Sequence, residues 1–394
     1  MPRMDHGDKE DQQRPLAGSW VFDADGHVVE PPEVWEHLPA RYRSYAPRVL
    51  QEDDHFRFIC NDRLSFRIRG RAESLAAPGQ TPHRAERPRA AAGATDPSAR
   101  LADMDLDRIA TAALYPTFGL MIQGVTERQP ALELCRAVND WLAGYCSHSP
   151  DRLVGVGVLP MTDTSDALGE ARRCVETHGF RGVWRRPEQF PGIPPLDDAG
   201  YEPLWAYLAE ARVAFAFHPG VNGLVPDGYL RDRYGDYFSA IHAVHFPAEQ
   251  MMALTAMVAY GVLERHPSLK VAFLETGAAW IVPYLHRLDE HLSTFGFERG
   301  GLTLRPSEYF ARQCFVSAED VEPGLALALE HYPKSIVFAS DYPHADGTFP
   351  GSTAELLDTT MLTADERRRV LVANADRLYG TQTAGRLTGA EAGR

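Results

Sequence analysis

From about Trp20 onward the chain alternates short runs of β-prone apolar residues with longer amphipathic stretches, the pattern that builds parallel β/α units. Eight such runs predict strands: Trp20 to Asp25, Ala112 to Pro116, Leu153 to Leu159, Gly182 to Arg185, Val213 to His218, Lys270 to Glu275, Cys314 to Ser317 and Ser335 to Asp341. Helical periodicity fills the stretches between most of them, as in Asp166 to Thr177, Tyr201 to Arg212, Glu249 to Arg265 and Ala278 to Ser293. Eight β/α units predict an α/β fold, a closed (β/α)8 TIM barrel rather than an open sheet. No G-x-G-x-x-G or Walker sequence follows a strand to support a nucleotide fold.

The pattern breaks between the first two strands, where 36–103 is too long for an ordinary βα loop and reads as a cap or an oligomer contact. His55 to Cys60 and Leu64 to Arg69 look like a hairpin turning at Asn61-Asp62-Arg63, while Arg71 to Pro97, rich in Ala, Pro, Gly and Arg, reads as mobile. The expected organisation is a flexible N-terminus (1–18), a barrel domain (19–380) carrying that insertion, and a flexible C-terminus (381–394).

Composition narrows the class. Hydrophobic residues at 44% and charged residues at 24% are ordinary globular values. A net charge of −14 disfavours nucleic acid as a partner. The longest apolar-looking run, Met251 to Leu263, is too short to cross a bilayer, and the polar N-terminus has no secretory signature, so a cytoplasmic protein without a membrane partner is expected. Five cysteines, none in a C-x-x-C pair, read as reduced packing thiols, so a metal would be held by His and carboxylate.

Catalytic groups of a (β/α)8 barrel gather at the C-terminal ends of its strands. The first strand ends in Asp23-Ala24-Asp25-Gly26-His27, where alternation points Asp23, Asp25 and His27 one way. The fifth runs into His218, the sixth into Glu275 and the eighth into Asp341, with His344 three residues on. Any one of these is as easily a cap or turn residue. Together Asp25, His27, His218, Glu275 and Asp341 predict a ring of His and carboxylate ligands at one mouth, suited to a metal that activates water.

The stretch Asp23 to Pro31 (D-x-D-x-H-x-x-E-P), His218-Pro219-Gly220, Gly261 to Glu264 with His266-Pro267, Glu275 with Trp280, Ser340 to His344, and Asn374-Ala375 with Arg377 to Gly380 resemble the amidohydrolase superfamily. They are most similar to its family 2 branch, which includes aminocarboxymuconate-semialdehyde and resorcylate decarboxylases. The resemblance spans about Val21 to Gly380 and implies metal ligands at Asp25, His27, His218 and Asp341. Two positions depart from it: Asp25 stands where the family often has His, and Glu275 where it usually has a His used in decarboxylation. No lysine follows the fourth strand to bridge two metals as a carbamate, which leaves Glu275 as a bridging ligand and His242 or His245 as further candidates. Glu30 and His344 are expected to touch substrate or a ligand.

The function expected from these residues is metal-dependent hydrolysis of a carboxylic acid derivative, an ester, a thioester such as an acyl-CoA, or an amide. One or two zinc, iron or manganese ions would lower the pKa of bound water while Asp341 orients it or takes its proton. The alternative is nonoxidative decarboxylation of an aromatic or unsaturated acid, and a second alternative a non-catalytic metal- or ligand-binding barrel. Seven Arg against three carboxylates from Asp62 to Arg89 suggest that Arg84, Arg87 and Arg89 meet an anionic substrate; the competing reading is that they pair with acidic surface on this chain or on a second subunit of a homo-oligomer.

Overall fold

In the computed structural model the described residues are 20–53, 55–60, 64–69, 92–220, 233–235, 237–298, 300–344 and 347–383. Eight parallel strands follow one another around a nearly closed barrel: β1 (Val21–Val28), β5 (Ile109–Pro116), β6 (Leu153–Val158), β7 (Gly182–Arg185), β8 (Ala214–Phe217), β9 (Lys270–Phe273), β10 (Cys314–Ala318) and β11 (Ile336–Phe338). Nearly every residue of these strands is buried, because helices cover the outside and side chains fill the inside. In β6 the two glycines admit neighbours: a Cβ on Gly157 would stand 2.5 Å from Cys174 Sγ, and one on Gly155 would strike the Phe180 ring.

The barrel is joined where its first and last strands meet at the mouth. Asp341 N donates to Asp25 O at 3.0 Å and His27 N to Tyr342 O at 2.5 Å. The two segments that carry the expected ligands are therefore stitched together by their own backbones.

The insertion contains the expected hairpin, β3 (His55–Cys60) with β4 (Leu64–Arg69), preceded by β2 (Arg48–Glu52) in a three-stranded antiparallel sheet. Phe58 of β3 packs on Phe118, just beyond the C-terminal end of β5, which puts this sheet beside the mouth. The chain returns through a turn at Ala92–Ala94 and a helix, Pro97–Leu106, capped by Asp96 and started by its proline. Residues 61–63 and 71–91, with Arg84, Arg87 and Arg89, lie outside the described residues, as do 1–19 and 384–394.

The expected helix Glu249 to Arg265 proves to be two, Phe238–Ala259 and Val262–Arg265, divided at Gly261, which adopts φ 69°. No described helix is long and apolar enough to cross a membrane.

Candidate metal centre

Asp25 and His27 project from the end of β1, where the ladder to β5 shifts register between Asp23 and Gly26. That shift separates Asp23 from the other two, against the expectation that all three point alike. Asp23 turns to Ser340, accepting from its N at 2.9 Å and its Oγ at 2.6 Å, while Asp25 and His27 face the barrel axis region occupied by His218.

Four expected ligands converge. His27 Nε2 and His218 Nε2 are 3.0 Å apart. Asp25 Oδ1 lies 3.7 Å from the first and 3.4 Å from the second, and Asp341 Oδ1 lies 3.5 Å from His27 Nε2. Donors at about 2.1 Å from one ion in a tetrahedral set stand about 3.4 Å from each other, so the separations among Asp25, His27 and His218 suit a single cation, while Asp341 groups with His27 and His344. All four residues are buried, yet neither oxygen of Asp25 accepts a hydrogen bond. A buried carboxylate in that state is costly unless a cation meets it. His218 Nδ1 donates to Pro219 O at 2.8 Å, which leaves Nε2 as the ring nitrogen open to a cation.

The electrostatics agree. Burial alone would lower the His218 pKa, but the Asp25 and Glu275 carboxylates outweigh it and hold it at about 9. Burial, with His344, His218 and Arg100 close by, pushes His27 well below the ordinary histidine value. The acidic cluster thus draws a positive charge into its centre, and without a metal that charge is a proton on His218.

His344 stands beside this group. Its ring lies 4.0 Å from that of His27, its Nδ1 is 2.8 Å from Asp341 Oδ1 and its Nε2 is 3.1 Å from Thr117 Oγ1. Below the centre Tyr115 and Trp184 pack on the His218 ring at 5.5 and 5.8 Å. A hydrogen-bonded line from Tyr115 through Tyr379 to Ala24 O seals the interior.

Glu275 takes a different position from a bridging ligand. It sits on the far side of the His218 ring, Oε2 3.4 Å from Nδ1, with His242 Nε2 3.9 Å from its other oxygen. The two ligand-like groups among the described residues are Asp25 with His27 and His218, and His27 with Asp341 and His344; Glu275 is in neither. Glu275 and Asp341 both adopt left-handed backbone, φ 57° and 50°, held by Ser317 Oγ on Glu275 N and by Asp25 O on Asp341 N. Such strain persists where surrounding structure enforces it, commonly at functional sites.

Two expected residues lie elsewhere. Glu30 accepts from the backbone N–H of Phe118 and Gly119 at 2.9 Å each, fixing the loop after β5, and burial raises its carboxyl to about 7. His245 directs Nε2 to Glu188 Oε1 at 2.8 Å instead of to the centre. Glu188 also pairs with Arg186, both fully buried, and Arg186 reaches on to Leu120 O and Gly220 O. This Arg186–Glu188 pair escaped the sequence reading. Its only sign was two arginines ending an apolar strand with an acid two residues later.

Comparisons with known proteins follow the same lines. The amidohydrolase family model Amidohydro_2 matches residues 22–381. The chain is 27% identical to a gamma-resorcylate decarboxylase of Rhodococcus jostii over 66% of its own length and 80% of that protein. It is 28% identical to a 2-amino-3-carboxymuconate-6-semialdehyde decarboxylase of Dictyostelium discoideum over 66% of its own length and 70% of the relative. Among solved structures, a dihydroxybenzoic acid decarboxylase of Polaromonas with bound manganese superposes with a TM-score of 0.61, at 18% identity over 92% of this chain and 97% of that one. These relatives overturn the expectation of hydrolysis, thioester hydrolysis included, because they break a carbon–carbon bond to a carboxylate. The expectation of hydrolysis leaned on Glu275 as a bridging ligand, and in the structure Glu275 faces Nδ1 of His218. With a family match over nearly the whole barrel and a His and carboxylate centre suited to a divalent cation at its mouth, the chain is an enzyme of the amidohydrolase superfamily and belongs to the amidohydrolase family.

Proposed function

We propose that the chain is a metal-dependent nonoxidative decarboxylase of a small aromatic or unsaturated carboxylic acid. The observation that carries this reading is the gathering of Asp25, His218 and Asp341 around His27 in a chain whose curated relatives include decarboxylases. A divalent cation held by these residues would bind the substrate's carboxylate and draw electrons from the ring or double bond beside it.

The chain's own groups supply the rest. As the carboxylate leaves as carbon dioxide, the electron pair of the broken bond is taken up by a proton at the carbon it leaves. His242 Nε2, facing Glu275, is the proton source: it is buried on one side against Phe246 and 26% exposed on the other, so it can be reloaded from solvent. Glu275, 3.9 Å from that nitrogen, orients the ring. His344, its ring tilted against that of His27 and bonded to Thr117, keeps Asp341 in place through its Nδ1. Phe118, with Trp35 and Phe58 around it, offers an aromatic wall at the mouth for a planar substrate.

The test is release of carbon dioxide by manganese- or zinc-loaded protein from a panel of hydroxybenzoates and unsaturated dicarboxylates, with esters and thioesters alongside. Carbon dioxide from at least one acid supports the reading. Turnover of acyl derivatives alone overturns it.

A further inference from the structure

We infer that Arg100, delivered by the last helix of the insertion, is a positioning residue for the metal ligands, clamping the β1 and β11 segments from behind. This inference rests on the metal reading above. Arg100 is 1% exposed although it belongs to a helix at the edge of the barrel. Its Nη1 donates to His27 O at 2.9 Å, gripping the backbone of a ligand directly. Its Nη2 stands 3.7 Å from Asp23 Oδ2, and Asp23 in turn holds both the N–H and the hydroxyl of Ser340, the residue before Asp341. The guanidinium lies over the ring of Tyr342, the residue after Asp341, at 4.1 Å. One side chain therefore touches or reaches through one partner to both neighbours of Asp341 and to His27 itself.

The surroundings are shaped to receive it. A Cβ on Gly26, between the ligands Asp25 and His27, would fall within 2.6 Å of Asp23 Oδ2 and closer still to Arg100 Nη2. A Cβ on Gly93 would likewise come within 2.6 Å of the Arg100 backbone and of the Tyr342 hydroxyl. The same helix adds Asp103, whose Oδ2 accepts from Tyr342 Oη at 2.6 Å, and the turn before it receives Val29 N on Ala94 O at 2.8 Å. The return limb of the insertion is thus laced to the strand ends that carry three of the four ligands.

Charge points the same way. Asp23, Asp25 and Asp341 are buried within one small region, and Arg100 is the cation set against the Asp23 carboxylate. A guanidinium can donate to a carbonyl, approach a carboxylate and lie flat on a ring at once, which an ammonium cannot do. An interaction of this kind, one step removed from the metal, typically governs affinity by about 10–100-fold.

The experiment compares wild type, Arg100→Met, Arg100→Lys and Asp23→Asn. Each is stripped of metal and titrated with Mn2+ by chelator competition and with Co2+ by its visible spectrum, while circular dichroism reports folding. Arg100→Met should bind about 10–100-fold more weakly, with an altered Co2+ spectrum. Arg100→Lys should recover part of the affinity, and Asp23→Asn, which leaves the Arg100 to His27 bond intact, should fall between. Folded Arg100→Met with wild-type affinity and spectrum overturns the inference. If that variant does not fold, wild-type binding and spectrum in folded Asp23→Asn overturn it instead. Failure of the wild type to bind either ion would remove the metal reading, a result distinct from unchanged binding in the variants.

Discussion

Glu188→Gln is the perturbation that separates the structural scaffold of the site from its chemistry. Glu188 and Arg186 are each 1% exposed and paired in a two-point contact, with His245 Nε2 sharing the Oε1 that Arg186 Nη2 holds. Burial pushes the Glu188 pKa up, but Arg186 and His245 outweigh it and hold the carboxyl at about 2, against 4.5 in the unfolded chain. At about 1.4 kcal/mol per tenfold change in proton affinity, that difference is worth about 3 kcal/mol. Breaking one partner of a buried pair, which strands the other charge, independently gives about 3–5 kcal/mol. The folded-state value is depressed, so the contribution is fully present above pH 4.5 and is lost as pH falls toward 2. Urea unfolding of wild type and Glu188→Gln should therefore differ by about 3 kcal/mol at pH 7 and converge between pH 4.5 and 2. Because Arg186 also holds Gly220 O, two residues beyond His218, the variant should in addition weaken metal binding. A difference below about 1 kcal/mol at pH 7, or one that does not shrink in acid, would refute the reasoning.

Asp25→Asn keeps size but removes the charge of a carboxylate that makes no hydrogen bond, so Mn2+ affinity should drop at least about 100-fold in a chelator competition while the circular dichroism spectrum is kept. His242→Asn should lower kcat by about 100-fold with metal content unchanged, measured by carbon dioxide release beside elemental analysis. Asn139→Ala removes the side chain that pairs both the N–H and the C=O of Val158 and also donates to Glu170, all buried, and should cost about 3 kcal/mol in urea unfolding without altering the metal titration.

The barrel was legible because its strands are buried on both faces and so write continuous apolar runs, as in Leu153–Val158 and Ala214–Phe217. What strand ends carry was legible too, since Asp25, His27, His218 and Asp341 each close or follow such a run. Geometry beyond the run was not. The first strand continues past Asp25 to Val28 through Gly26, where a Cβ would strike Arg100 Nη2 and Asp23 Oδ2. The register shift that parts Asp23 from Asp25 has no periodic signature. Pro247 hid the first half of the helix Phe238–Ala259, and with it the placement of His242 opposite Glu275. Arg100 could not be found from spacing, because its partners Asp23, His27 and Tyr342 lie more than seventy residues away in either direction. Function misled where a residue type was read without its side: a carboxylate on the sixth strand suggests a bridge, but this one faces Nδ1 of His218.

The most direct measurement is decarboxylation in deuterium oxide, followed by mass spectrometry of the product and by carbon dioxide release. Metal-loaded protein should give one carbon dioxide per product and one deuterium at the carbon that lost it. Chelation should abolish both, and added Mn2+ should restore them. Full turnover by metal-free protein, or a product that keeps its carboxyl carbon, would contradict the account.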